Sequence, residues 1–226
     1  MSERSFRTRR GERASPKAAR GGDKRERILD AAVKVFAKNG FFLTRVADVA
    51  KAAGVADGTI YLYFPSKEAL LVSLFEDRVE RMLAYLAKEL PKETTAVGKL
   101  RRIIEIQLGV LEQERDLAEV ITIILRQSTK LMKEHAAPKF MAYVGAIAEV
   151  VSEGQARGEL RADVSPHLVA RTLFGALDGL ALTWALGKAD RGGLVKASGQ
   201  LAELVLHGLV AHGAAESAEA PLRKRA

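Results

Sequence analysis

Cysteine is absent from all 226 residues, which excludes disulfides, thiolate metal sites and a Cys-His nucleophile, and suits a reducing cytoplasm. Histidine is scarce. His135, His167, His207 and His212 are scattered, and His207 and His212 stand five apart with no carboxylate at ligand spacing, so the chain reads as a non-enzyme with neither metal nor cofactor. A secretory pattern is missing, because residues 1 to 20 are studded with arginine and lack an apolar central run. The most apolar segment, LVARTLFGALDGLALTWALG (168 to 187), carries Arg171 and Asp178, charges that are expensive in a bilayer; it reads as a buried helix, and no membrane is expected as partner. Neither strand-length alternation nor an internal repeat occurs, which leaves an all-α fold.

What is present is a hydrophobic content of 48%, enough for a sizeable core, and a formal charge of +8, which favours nucleic acid or another polyanion. The basic excess is concentrated at the start. Arg4, Arg7, Arg9, Arg10, Arg13, Lys17 and Arg20 stand against only Glu3 and Glu12 with no apolar period, so residues 1–22 read as a disordered basic arm. Asp23 with Glu26 is a capping pair for helix one, whose Ile28, Ala31, Ala32, Val35 and Phe36 recur at helical spacing up to Asn39-Gly40. Thr44 or Arg45 opens helix two, and Gly54 ends it. Residues 56 to 63 make helix three, with Ile60 and Phe64 inward and Pro65 as the stop. Longer helices follow: one from the Ser66 N-cap towards Pro91, one from Thr95, one from Asp116 until Pro138 interrupts it, one over 139 to 157, one from Ser165-Pro166 to Leu186, and one over 194 to 211. Residues 213–226 read as a disordered tail.

Helix two, a tight turn and helix three are the arrangement of a helix-turn-helix, whose second member can enter a major groove. Thr59, Tyr61, Tyr63 and Lys67 spread hydrogen-bond donors over about two turns beside the arginine arm, and such donors reach phosphate oxygens. Tyrosines here can equally cap a small core.

The stretch DVAKAAGVADGTIYLYFPSKEALL (48 to 71) resembles the DNA-binding signature of the TetR family of bacterial transcriptional regulators. That resemblance implies a three-helix DNA-binding domain over 23–66, a ligand-binding and dimerisation domain of about six helices over 67–212, and a cytoplasmic homodimer on the double-stranded DNA of a palindromic operator. It implies DNA contacts at Thr44, Gly58, Thr59, Tyr61, Tyr63 and Lys67. The chain departs from the family at Ala47, where many members carry a basic residue, and direct base readout from helix two then falls to the neighbouring Arg45.

GVADGTIYLYF (54 to 64), LRQS (125 to 128) and LFGALDGLALTW (173 to 184) are similar to a branch of that family, the FadR-type repressors of fatty-acid degradation. The branch implies release from the operator by long-chain acyl-coenzyme A, a ligand that needs a long apolar tunnel and cations at its mouth. Leu108, Ile121, Ile124, Leu125, Phe140, Val144, Phe174 and Trp184 are placed to line a tunnel, although stripes at helical spacing serve a core equally well. Arg126 either pairs with a phosphate or snorkels to solvent, with Arg101, Arg102 and Lys130 as further cations. For the dimer face the small residues Gly175, Gly179 and Gly208 stand out, together with Leu168, Thr172, Leu201, Leu204 and Val205. Two rivals use the same features: an efflux regulator responding to a hydrophobic drug, marked by an acidic, aromatic-lined pocket, and a basic helical lipid carrier that binds no DNA.

Overall fold

Apolar periodicity becomes helix after helix along the chain: α1 (Pro16–Leu43), α2 (Val46–Ala53), α3 (Asp57–Tyr61), α4 (Lys67–Glu89), α5 (Ala96–Gln113), α6 (Arg115–Glu119), α7 (Ala137–Ala156), α8 (Pro166–Leu186) and α9 (Gly193–His207). The structure, a computed structural model, describes residues 16–124, 137–187 and 192–210. Among these residues no strand forms; a lone bridge joins Leu160 to Val210. A 3-10 turn, Leu90–Lys92, follows α4, and α6 runs on into a π-helical turn, Val120–Ile124.

Two glycines shape the amino-terminal unit. Gly40 has φ 72 and breaks α1 before Thr44. Gly54 has φ 65 and closes α2: its N–H donates to the Lys51 carbonyl at 3.3 Å and the Val55 N–H to that of Ala50 at 3.0 Å. This double bond pattern satisfies the last carbonyls of the helix and needs a left-handed residue. The Arg27 guanidinium adds a third cap, donating to the Ala53 carbonyl at 2.6 Å.

Burial falls into two clusters. Ile28, Leu29, Phe36, Val49, Ala50, Ile60 and Phe64 from α1 to the segment after α3 close on Leu70, Leu71, Leu74 and Phe75 of α4, with Leu117 and Val120 covering them. Leu100, Ile103, Ile104 and Leu108 of α5, Val144, Ile147 and Val151 of α7, Leu173 and Leu177 of α8, and Leu194 and Leu206 of α9 make the second. Val79 of α4 and Phe140 of α7 pack against both. Among the described helices α8 alone is long and apolar enough to cross a membrane, yet Val169, Ala170, Leu173, Leu177 and Ala181 bury one face of it in the second cluster.

Caps at Ser66 and Thr95 stand where expected, accepting from Ala69 N–H and Gly98 N–H, each at 3.0 Å. The start of helix one differs from the sequence reading. Helix one begins at Pro16 and not Asp23, so residues 16–22 of the expected arm are helical; proline suits a first turn because its missing N–H is unpaired there anyway. Glu26 is not a capping partner, since its carboxylate lies 2.9 Å from Arg81 Nη2. Pro138 falls in the first described turn of α7, close to the expected start at 139, where its missing N–H is tolerated. Residues 1–15 and 211–226 lie outside the described residues.

Gly54→Ala is expected to cost about 1–2 kcal/mol, because the new Cβ must adopt φ 65 and meets Arg27 Nη2 at 3.3 Å. Urea unfolding reads this as an earlier midpoint at unchanged slope, with Gly54→Asn costing less because asparagine tolerates the left-handed region.

Candidate nucleic-acid interface and ligand cavity

The turn at Gly54 sets α3 across α2, with Ile60 pointing into the first cluster and the opposite side of α3 to solvent. Gly58 is exposed, and no atom of the described residues stands within 4 Å of where its Cβ would be, so its smallness relieves no internal contact. Thr59 is half-buried and Tyr61 is 55% exposed. Arg45 is the N-cap residue of α2, with its guanidinium 82% exposed. Asp48 accepts the Arg45 N–H at 3.0 Å, and that bond, followed by the one from the guanidinium, holds the Asp48 carboxyl below its ordinary range. Gly58, Thr59, Tyr61 and Arg45 thus share the solvent side of the motif.

Three of the expected DNA contacts also have partners within the chain. Thr44 is 2% exposed, and its hydroxyl donates to the Gly40 carbonyl at 2.7 Å, so it locks the turn between α1 and α2. Lys67 Nζ donates to the carbonyls of Phe41, Thr44 and Phe42 at 2.7, 2.9 and 3.2 Å, and lies 4.6 Å from the centre of the Phe41 ring. An ammonium has three protons, and all three reach backbone oxygens, so Lys67 ties the start of α4 to the end of α1. Tyr63 is half-buried, its ring 6.3 Å from that of Phe64 and packed on the first cluster.

In the second unit a cavity of about 400 Å³ opens between α4, α5, α6, α7 and α8. Phe75, Val79, Met82 and Tyr85 of α4 form one wall, Gln107, Val110 and Leu111 of α5 another, and Leu117, Ile121, Phe140, Tyr143 and Phe174 complete it. Phe140 and Phe174 meet edge to face at 4.7 Å, and Tyr143 stands 6.3 Å from Phe174. Tyr143 donates its hydroxyl to Gln107 Oε1, and burial pushes its phenol up, so it remains a donor across the physiological range. Arg78, Arg81 and Glu114 supply the charged part of the wall.

Of the tunnel residues expected from sequence, Ile121, Phe140 and Phe174 line this cavity. Leu108 and Val144 are 0% and 1% exposed in the second core instead, and Trp184 packs on that core with the Arg115 guanidinium 5.8 Å from its ring centre. Leu125, Arg126 and Lys130, and with them all of LRQS, lie outside the described residues. Arg101 and Arg102 are not cavity cations: Arg101 pairs with Glu203 at 2.7 Å, and Arg102 with Glu89 at 3.2 Å and Glu105 at 3.4 Å. None of the α4 wall, Phe75, Val79, Met82 and Tyr85, is among the tunnel residues expected from sequence.

On α8 the residues Leu168, Thr172, Gly175 and Gly179 recur at helical spacing on the outward side, Leu168 being 60% exposed. No described atom stands within 4 Å of a Cβ built on Gly175 or Gly179. Leu204 of α9 is 77% exposed and Gly208 is exposed, whereas Leu201, expected on the same face, is 7% exposed in the chain's own core, and Val205 packs partly against it. Among the described residues no cluster of histidine and carboxylate side chains is placed to hold a metal.

A helix-turn-helix joined through a shared helix to an all-helical domain with an apolar cavity defines the class, a DNA-binding transcriptional regulator. Residues 28–74 match the bacterial regulatory proteins of the tetR family, and residues 75–208 match the carboxy-terminal region of YsiA-like proteins. The chain is 33% identical over 182 residues to the fatty acid metabolism regulator protein of Bacillus subtilis, covering 80% of this chain and 93% of that protein. Its fold is similar to the fatty acid degradation regulator FadR of Bacillus halodurans, with TM-score 0.78, 32% identity, and 81% of this chain and 98% of that one covered. The FadR of Bacillus subtilis in complex with stearoyl-CoA is similar at TM-score 0.77 and 33% identity, with 81% and 98% covered. The chain belongs to the TetR family of bacterial transcriptional regulators, and it is a DNA-binding protein and not an enzyme.

Lys67→Met separates a structural from a phosphate-binding ammonium. Loss of three charge-assisted bonds is expected to lower stability by about 2 kcal/mol in urea. The slope of log affinity against log salt for duplex DNA should stay at the wild-type value, whereas loss of a phosphate contact would flatten it by about 0.9.

Proposed function

We propose that the chain is a homodimeric repressor of fatty-acid degradation genes that leaves its operator when a long-chain acyl-coenzyme A binds. The carrying observation is the cavity of about 400 Å³, whose wall is mostly aliphatic and aromatic and lies in the same domain that matches the relative carrying stearoyl-CoA. Its charged groups are two arginines and one glutamate, a balance that suits an anionic ligand and not a cationic drug. Family membership sets the lipid-carrier reading aside.

On DNA the exposed Arg45, Gly58 and Tyr61, with the half-buried Thr59, face the groove and backbone. Thr59 and Tyr61 offer few bidentate base contacts, so phosphate charge and DNA shape supply much of the affinity, with the basic residues before α1 adding to it. The outward stripe of α8, with Leu204 and Gly208 of α9, is the dimer face; glycines that relieve no contact within the chain allow a second copy to approach closely. Two copies then present their α3 helices to half-sites about one helical turn apart, near 34 Å. The protein works in the cytoplasm, where operator and acyl-coenzyme A meet.

A mobility shift on the promoter beside the protein's own gene tests this reading. Lauroyl- and oleoyl-coenzyme A should release the DNA, and from octanoyl to palmitoyl each added methylene should tighten binding about fourfold, ~0.8 kcal/mol, until the cavity is filled. A complex that survives acyl-coenzyme A and free fatty acid alike but yields to a hydrophobic drug overturns it.

A further inference from the structure

A second hollow adjoins the apolar cavity. This cleft, of about 610 Å³, lies where α1 meets α4 and the turn from α5 into α6, and it shares Arg78, Arg81, Glu114 and Leu117 with the cavity wall. Lys34 of α1 and Arg115 of α6 add positive charge to it. With Arg78 and Arg81 they set four basic side chains against Asp30, Glu114 and Asp116. The apolar chamber thus continues into a charged one with a small basic excess, which matches a ligand with an apolar chain at one end and phosphates at the other.

The two shared arginines already have partners, Asp30 and Glu26 on α1 of the DNA-binding unit and Asp77 on α4 itself. Arg78 is 12% exposed; its Nη2 lies 2.5 Å from Asp30 Oδ1 of α1, and its Nη1 3.6 Å from Asp77 Oδ2. Arg81 reaches Glu26 Oε1 of α1 at 2.9 Å through Nη2, and Asp77 Oδ2 at 2.8 Å through Nε. Arg25 closes the group on Asp77 at 3.5 Å. Arg78 Nε is buried and donates to no acceptor among the described residues, so this guanidinium has a donor to spare. Asp30 and Glu26 are 51% and 52% exposed, and water can take them over when their arginines turn away.

Resting on the acyl-coenzyme A reading, we propose that Arg78 and Arg81 are the phosphate-binding residues of the ligand site and at the same time the latch between α1 and α4. Phosphate oxygens in the cleft compete with Asp30 and Glu26 for the two guanidinium forks. Occupancy loosens α1 from α4 and frees the helix-turn-helix to leave its operator-bound orientation. The apolar chain supplies anchorage and the phosphates supply the signal, so a free fatty acid occupies the cavity without unlocking the seam.

The test uses the full chain and three probes: palmitoyl-coenzyme A, palmitate, and coenzyme A alone. Arg78→Met and Arg81→Met should each weaken palmitoyl-coenzyme A at least tenfold while palmitate changes less than twofold. Asp30→Asn, which removes the competitor, should tighten palmitoyl-coenzyme A and weaken operator binding without ligand, shrinking a hundredfold release, ~2.7 kcal/mol, in the wild type. Should Arg78→Met fail to fold, Arg78→Lys, which keeps the charge but loses the fork, should show a smaller loss of the same selectivity. Wild-type binding of palmitoyl-coenzyme A with both arginine variants unaffected, or affected equally for palmitate, overturns the latch alone. Failure of the wild type to bind any acyl-coenzyme A overturns the latch together with the functional reading beneath it.

Discussion

One helix serves two cores. The first turns of α4 put Leu70, Leu71, Leu74 and Phe75 into the cluster that holds the helix-turn-helix together, while Val79 and Met82, one and two turns further on, wall the apolar cavity. The 23 residues of α4 span about 34 Å as one rod. Its amino-terminal end is fixed to the end of α1 by the Lys67 ammonium, and the Ser66 cap secures its first turn. A change in the cavity that tilts this rod by some five degrees shifts its far end by about 3 Å, and no flexible linker absorbs the movement. Everything attributed to ligand response depends on that continuity.

Much of the amino-terminal unit was legible because punctuation there is local. Glycines at 40 and 54, the Pro65 stop and the Ser66 cap each act through the backbone of their own neighbourhood, and each stands in the structure where the sequence places it. Lys67 and Thr44 show where local reading stops. A phosphate and the carboxy-terminal carbonyls of a helix are both clusters of negative oxygen, and an ammonium or hydroxyl four carbons or one carbon from the backbone suits either. Only the approach of α4 to the kink at Gly40 decides it, and that approach is a tertiary fact.

The cavity was legible in kind but not in outline. Leu108 and Phe140 both lie on apolar stripes at helical spacing, yet Leu108 meets a packed neighbour and Phe140 a hollow. Period fixes which side of a helix turns inward; it carries no information on whether the facing helices close up or stand apart. α4 faces two ways along its length, packing Leu71 and Leu74 into a core and lining the cavity with Val79 and Met82, and a stripe lining a void and a stripe filling one have the same residues. Leu201 erred in the opposite direction: it sits three residues from the exposed Leu204, and about 60° of helical rotation took it from the expected dimer face into the chain's own core.

Charge at the seam between α1 and α4 is the part whose physical sense emerges last. An apolar seam there would gain more from burial, but opening it would expose hydrocarbon to water and cost about 25 cal/mol for every square ångström. The ion pairs of Arg78 and Arg81 with half-exposed carboxylates contribute little individually, on the order of 0–1 kcal/mol each, and their carboxylates are hydrated as soon as the pairs part. A junction made this way holds orientation well, since guanidinium forks and carboxylates are directional, yet it separates at a cost within reach of a single ligand. Stability is concentrated in the two apolar clusters on either side, which need not change for the seam to open. On the proposed reading, that division is what lets one small molecule move a DNA-binding unit without unfolding it.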